Sequence, residues 1–227
     1  MRQKTLILWE MRLQRKYGFY AVYALLSVFY ILVLYVLPAP WRPMAGAVMI
    51  VSDPAAMGLF FMGAIVLLEK SQRVLPALAV SPVRCREYLV AKLVSLGGIS
   101  LLVALVLAIA AGVRPLWPVL VGTVLLSAVF TLAGVLVATK TPTLNSFLLA
   151  SVPVELICFG PLLLYLFGGE RSLWRWWPTN LGFAMLRGQP GAVLPGLLGL
   201  APLLAVLFWL ASRSVAKLWG SLGGGGL

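Results

Sequence analysis

Glu155 is the only acidic residue well inside a long apolar run of this chain. An ionised side chain at mid-membrane costs on the order of 2.5–3.5 kcal/mol on insertion scales, so such groups turn toward a bundle interior or a wet cavity. Pro153 and Pro161 flank it and should bend its helix. Glu155 is then either a carboxylate that meets a solute or pairs helices along a pathway, or a protonated group hydrogen-bonded to a neighbouring helix. Tyr20, Tyr23, Ser27 and Tyr30 recur at helical spacing and share one face. A phenol hydroxyl in hydrocarbon needs a partner, which turns the stripe toward protein or a cavity. It is either an aromatic wall for amphiphilic or cationic solutes or ordinary helix packing.

Other chemistry is missing from the residue inventory. The chain has no histidine, which removes His-ligated zinc or haem and His general bases. It has no G-x-x-x-x-G-K-[ST] loop to cradle a nucleotide. Cys85 falls in a loop and Cys158 in mid-span, so no disulfide is expected. No paired carboxylates lie in the spans. We therefore expect no enzyme activity, and no cofactor or metal site, in this chain.

The elements that must hold these residues are apolar and long. The hydrophobic fraction is 62%, well above the roughly 45–50% of soluble domains, and about 20 apolar residues span a bilayer as a helix. Six such stretches occur, near 18–37, 54–68, 93–113, 118–139, 146–167 and 193–212. The fold class expected is an all-α integral membrane protein with one six-helix domain over 18–219, preceded by a segment 1–17 and followed by a flexible glycine-rich tail, 220–227. Small residues at Gly97, Gly98, Gly122, Ser127 and Gly134 suit close helix packing.

The net charge of +12 is an orientation signal. With six spans, the 18 basic residues divide thirteen to five between the two sides. The richer side, which includes both termini, should be cytoplasmic; attraction to anionic lipid accounts for the rest of the basic excess, and no nucleic-acid partner is expected. Residues 1–17 place Leu6, Trp9, Leu13 and Tyr17 on one stripe, as in an interfacial helix or a frayed basic tail. Ser52-Asp53-Pro54 reads as a helix start, a capping side chain followed by proline. The apolar residues 44–51 before it form either an outer re-entrant turn or the first part of a longer second helix kinked at Pro54. In the loop after that helix, Leu75, Leu78 and Ala79 share a face, Ser81-Pro82 interrupts, and Glu87-Tyr88 restarts a helix; a short helix so held could transmit a push, or be a solvated elbow. Trp174, Trp176 and Trp177 fit a headgroup-level anchor, with a possible outer re-entrant half-helix over 180–187.

That loop carries a family resemblance. Glu69-Lys70, Val74-Leu75-Pro76-Ala77-Leu78, Val80-Ser81-Pro82, Glu87-Tyr88-Leu89 and Ala91-Lys92 resemble the loop of ABC-2-type exporter permeases, and Trp9-Glu10, Ser52-Asp53-Pro54 and Thr143-Leu144-Asn145 point to the branch labelled fluoroquinolone-export permeases. Ser71, Arg73 and Pro76 depart from the family's usual residues. The resemblance implies a half-transporter in a bacterial inner membrane that exports an amphiphilic small molecule. It implies a second permease copy or paralogue, and a separate ATP-binding cassette subunit holding ATP and Mg on the cytoplasmic face. Glu69, Leu75, Leu78, Ser81, Pro82 and Glu87 would form the coupling helix and loop seated on that subunit. Tyr20, Tyr23, Tyr30 and Glu155 are the candidate pathway residues. An ion-coupled secondary transporter and a membrane scaffold are the alternatives.

Overall fold

A backbone in hydrocarbon must satisfy its own polar groups, and a helix does so within one segment. The computed structural model describes residues 2–168 and 173–222, with no strand among them. Six helical segments are long and apolar enough to cross a membrane: Phe19–Val36, Ala39–Ser71, Cys85–Ala110, Leu116–Lys140, Leu144–Phe167 and Pro190–Ser221. The chain is a multi-pass membrane protein. Its helices are α1 (Arg2–Lys16), α2 (Phe19–Val36), α3 (Arg42–Ile50), α4 (Met57–Ser71), α5 (Val74–Ala79), α6 (Cys85–Ala110), α7 (Leu116–Lys140), α8 (Leu144–Gly168), α9 (Pro178–Leu186) and α10 (Val193–Leu222).

The second span settles the open choice at residues 44–51. It begins at Ala39, and α3 and α4 are joined by a π-turn over Val51–Ala55. Ser52-Asp53-Pro54 is therefore the middle of a long helix and not its start. Proline inside a helix removes one hydrogen bond and crowds the preceding turn, and the wider π-turn accommodates both. The third span, α6, begins at Cys85, earlier than the apolar run suggests. Helix six continues to Leu222, taking Gly220–Leu222 out of the expected tail; residues 223–227 lie outside those described.

The fourth span, α7, is the hub, packed against α4, α6, α9 and α10. Leu126, Phe130, Val135 and Ala138 on it are fully buried. Its close approach to α4 requires glycine: a Cβ on Gly134 would lie 2.5 Å from the Leu59 carbonyl oxygen, and one on Gly58 would lie 2.7 Å from Thr131 Oγ1.

The fifth span, α8, runs unbroken through Pro161, and the carbonyl that proline leaves free is satisfied from outside. Pro161 has no N–H, so the Ile157 carbonyl loses its helical donor. Trp177 Nε1 donates to that carbonyl at 3.1 Å, Thr179 Oγ1 to Cys158 O at 2.7 Å, and Asn180 Nδ2 to Pro161 O at 3.0 Å. The half-helix expected over 180–187 is α9. It is largely buried against α7, α8 and α10, with Gly122 and Gly182 admitting the crossing.

Candidate functional site

At the end of the molecule that carries the N-terminus, three distant helices meet through buried charge and a fourth packs against them. Lys92 Nζ on α6 donates to Glu10 Oε1 of α1 at 2.8 Å and to Glu69 Oε1 of α4 at 2.7 Å. All three residues are at most 2% exposed. Tyr88 Oη donates to the other Glu69 oxygen at 2.6 Å, and its ring lies 4.5 Å from the lysine nitrogen. Trp219 of α10 packs edge-on against that ring. Gln14 Nε2 donates to Ser95 Oγ at 2.9 Å. One ammonium thus serves two carboxylates, and Glu10 Oε2 is left buried without a partner. Burial pushes the Glu10 carboxyl above its ordinary 4.5; Lys92 pulls the other way and Glu69 adds to the rise.

The buried side of α1 carries polar residues, while its other charges, Lys4, Arg12, Arg15 and Lys16, are exposed. Glu10 and Gln14 face α6, whereas Leu8, Trp9 and Met11 are exposed. In the stripe of Leu6, Trp9, Leu13 and Tyr17, Trp9 is exposed and the other three are half-buried.

The neighbouring loop is held from several directions. Lys70 Nζ donates to the carbonyls of Ala138, Thr139 and Thr141 at 2.6, 3.3 and 2.9 Å, a cation on the C-terminus of α7. Leu75 is buried, and α5 leans on α4 and α10. Ser81 Oγ donates to Leu78 O at 2.7 Å and accepts from Val83 N. Glu87 Oε2 accepts the Arg84 N–H at 2.9 Å, closing the first turn of α6. Of the six loop residues named from the sequence, Glu69 and Leu75 are buried, Leu78, Ser81 and Glu87 are half-buried, and Pro82 is exposed. The exposed surface is instead Arg73, Ala77, Val80, Pro82, Arg84 and Arg86, with Val80 78% exposed.

The tyrosine stripe turns inward, although the Tyr23 hydroxyl finds no hydrogen-bond partner there. Tyr23 is 2% exposed, while Tyr20 and Tyr30 are half-buried against the same core. Asp53 in the π-turn is 3% exposed and lies near enough to Tyr23 and Tyr30 for its charge to act on them. Tyr23 and Ser100 face each other, yet Tyr23 Oη, Ser100 Oγ and Asp53 Oδ2 have no close hydrogen-bond partner. Asp53 has no cation against it among the described residues. Glu155 lies elsewhere: half-buried on α8, beside the exposed Leu156 and Ile157.

Residues 1–194 match the Fluoroquinolones export permease protein family. The chain belongs to that family. Two Mycobacterium tuberculosis relatives, from strains CDC 1551 / Oshkosh and ATCC 25618 / H37Rv, are each named a Fluoroquinolones export permease protein. Each is 33% identical over 159 residues, covering 69% of this chain and 67% of the relative. The resemblance read from the loop is thereby borne out.

The matched region of this permease contains the whole Glu10, Glu69 and Lys92 triad and the Asp53 centre, and stops near the start of α10. Glu10, Lys92 and Asp53 are absent from the candidates read from the sequence. Asp53 was assigned to a cap because Pro54 imitates a helix start. Lys92 was counted in a basic block, although Tyr88, Lys92 and Ser95 already form a polar stripe at helical spacing.

Proposed function

We propose that this permease is the membrane half of an ATP-driven exporter of an amphiphilic small molecule, drug-like or lipid-like. ATP and Mg are bound by a separate ATP-binding cassette subunit, and a second permease copy or paralogue completes the pathway. The observation that carries this reading is the loop from Arg73 to Arg86. A short helix is held against two spans, and Val80 just after it is 78% exposed among three arginines, a surface suited to an acidic partner with an apolar notch. The arginine-rich face is then cytoplasmic, both termini with it, in a bacterial inner membrane. The names of the two relatives supply the export direction and the drug-like substrate class.

The docking surface is tested by Val80→Asp. Wild-type chain purified in mild detergent should bring down a stoichiometric ATP-binding subunit and its ATPase activity. The variant should lose at least about tenfold of that association, the cost of burying an unpaired charge. Equal recovery of the subunit by wild type and variant would end the proposal for this face.

Tyr20, Tyr23 and Tyr30 with Asp53 form one wall of the pathway, and Glu155 lies on the exposed α8 face where a second copy or lipid would sit. Glu155→Gln is expected to change substrate-stimulated turnover while leaving basal ATPase intact. Unaltered stimulation and transport would remove Glu155 from the pathway. The uncompensated Asp53 also suits the alternative, an ion-coupled carrier; proton-driven uptake into liposomes without ATP would favour that alternative over the exporter.

A further inference from the structure

The outward side of α1 and the first turn of α2 border an open groove of about 620 Å³, lined by Leu8, Met11, Arg12, Arg15 and Tyr20. Its α1 wall is fixed from behind. Glu10 and Gln14 tie that helix to α6, and the chain turns back into α2 at Gly18, whose φ of 77° suits glycine. Leu8, Met11, Arg12 and Arg15 stand at helical spacing and share one stripe. All four are exposed, and Tyr20 is half-buried. α1 is not one of the six spans. A helix outside the spans that shows leucine and methionine beside arginines fits the boundary between acyl chains and headgroups. The ion pairs among the described residues are those of Lys92 with Glu10 and Glu69, so neither arginine has a carboxylate partner among them.

We propose that this groove seats one acidic phospholipid, its acyl chains against Leu8, Met11 and Tyr20 and its phosphate between Arg12 and Arg15. The planar guanidinium fork matches phosphate oxygens, and the apolar wall selects a lipid over a free anion. None of the five lining residues is acidic, so the ammonium of a zwitterionic headgroup would meet two cations and no partner. Phosphatidylglycerol is preferred to phosphatidylcholine for that reason. The proposal does not depend on how transport is driven.

The test is lipid binding to the delipidated full chain in neutral detergent, by native mass spectrometry and thermal shift, at about 0.15 M salt to screen diffuse attraction. Dioleoyl phosphatidylglycerol should bind at least about tenfold more tightly than dioleoyl phosphatidylcholine, the worth of two basic side chains beside an anionic headgroup. Arg12→Gln with Arg15→Gln should abolish that preference. Lys140→Gln with Lys217→Gln removes the same charge from exposed positions on α7 and α10 and should leave it intact. Glycerophosphoglycerol at millimolar concentration should not displace the lipid; displacement would reduce the groove to a site for a free anion and overturn the lipid seat. Equal binding of the two lipids by wild type would overturn the proposal without any variant. So would a preference that survives the arginine changes or falls equally with the lysine changes.

Discussion

Lys92→Met should deplete the folded permease, with a loss of about 3–5 kcal/mol, the usual cost of breaking a buried ion pair from one side. Methionine fills much of the lysine volume, so the loss is electrostatic. Glu10 and Glu69 would remain buried with no cation between them. Monodisperse yield and melting temperature in detergent report the effect. Adding Glu10→Gln and Glu69→Gln to Lys92→Met should recover more than half of the lost stability, because a neutral triad carries no unpaired charge. A carboxyl whose folded pKa is raised favours the fold while it is protonated, and that contribution fades as pH climbs through the folded value. For Glu10 the window lies above 4.5, and removing Lys92 moves it higher still. The single variant should therefore approach wild type near pH 5 and diverge from it by pH 7.5. A single variant as stable as wild type, or a triple variant no better than the single, would refute the electrostatic account.

Gly134→Val should be nearly as damaging for a different reason. Its Cβ would lie 2.5 Å from Leu59 O and 3.1 Å from both Leu59 Cα and Met62 Cβ. Two of those three atoms are backbone, so α4 must move away from α7. Overpacking of this kind costs about 1–3 kcal/mol, occasionally more, and here it acts at the hub of the bundle. Gly98→Ala is the control: a Cβ there meets nothing within 4 Å, and alanine gains up to about 1 kcal/mol of helix propensity. Melting temperatures should fall for the first and hold or rise for the second. Parallel behaviour of the two would show that the α4 and α7 crossing is not the limiting contact.

The six spans and the short helix after the second were readable because runs of apolar residues report solvent directly. Helix ends were not, since the bundle continues past the hydrocarbon: α6 begins at Cys85 to place Tyr88 and Lys92, and α10 runs on to place Trp219. Glu69 and Lys70 read as exposed loop charges, yet one is paired inside and the other caps α7. A single sequence shows that Glu10 and Lys92 are polar; it does not show that folding brings residues 82 apart within 2.8 Å. The inward turn of the tyrosine stripe was legible from its helical spacing, although Tyr23 Oη finds no partner there, whereas the buried Asp53 nearby was hidden by the proline beside it.

The π-turn over Val51–Ala55 amounts to one residue added to an ordinary helix. Each residue of an α-helix advances the facing direction by about 100°, so α3 and α4 share an axis but not a phase. Gly46 on the first half meets Ala111 just past the end of α6, while Gly58 on the second meets Thr131 of α7. Each half is aimed by its own neighbour, and the added residue reconciles the two aims. A one-residue deletion within the π-turn would force a compromise between them; the same deletion elsewhere along the span would rotate one half off its partner and leave the other in place.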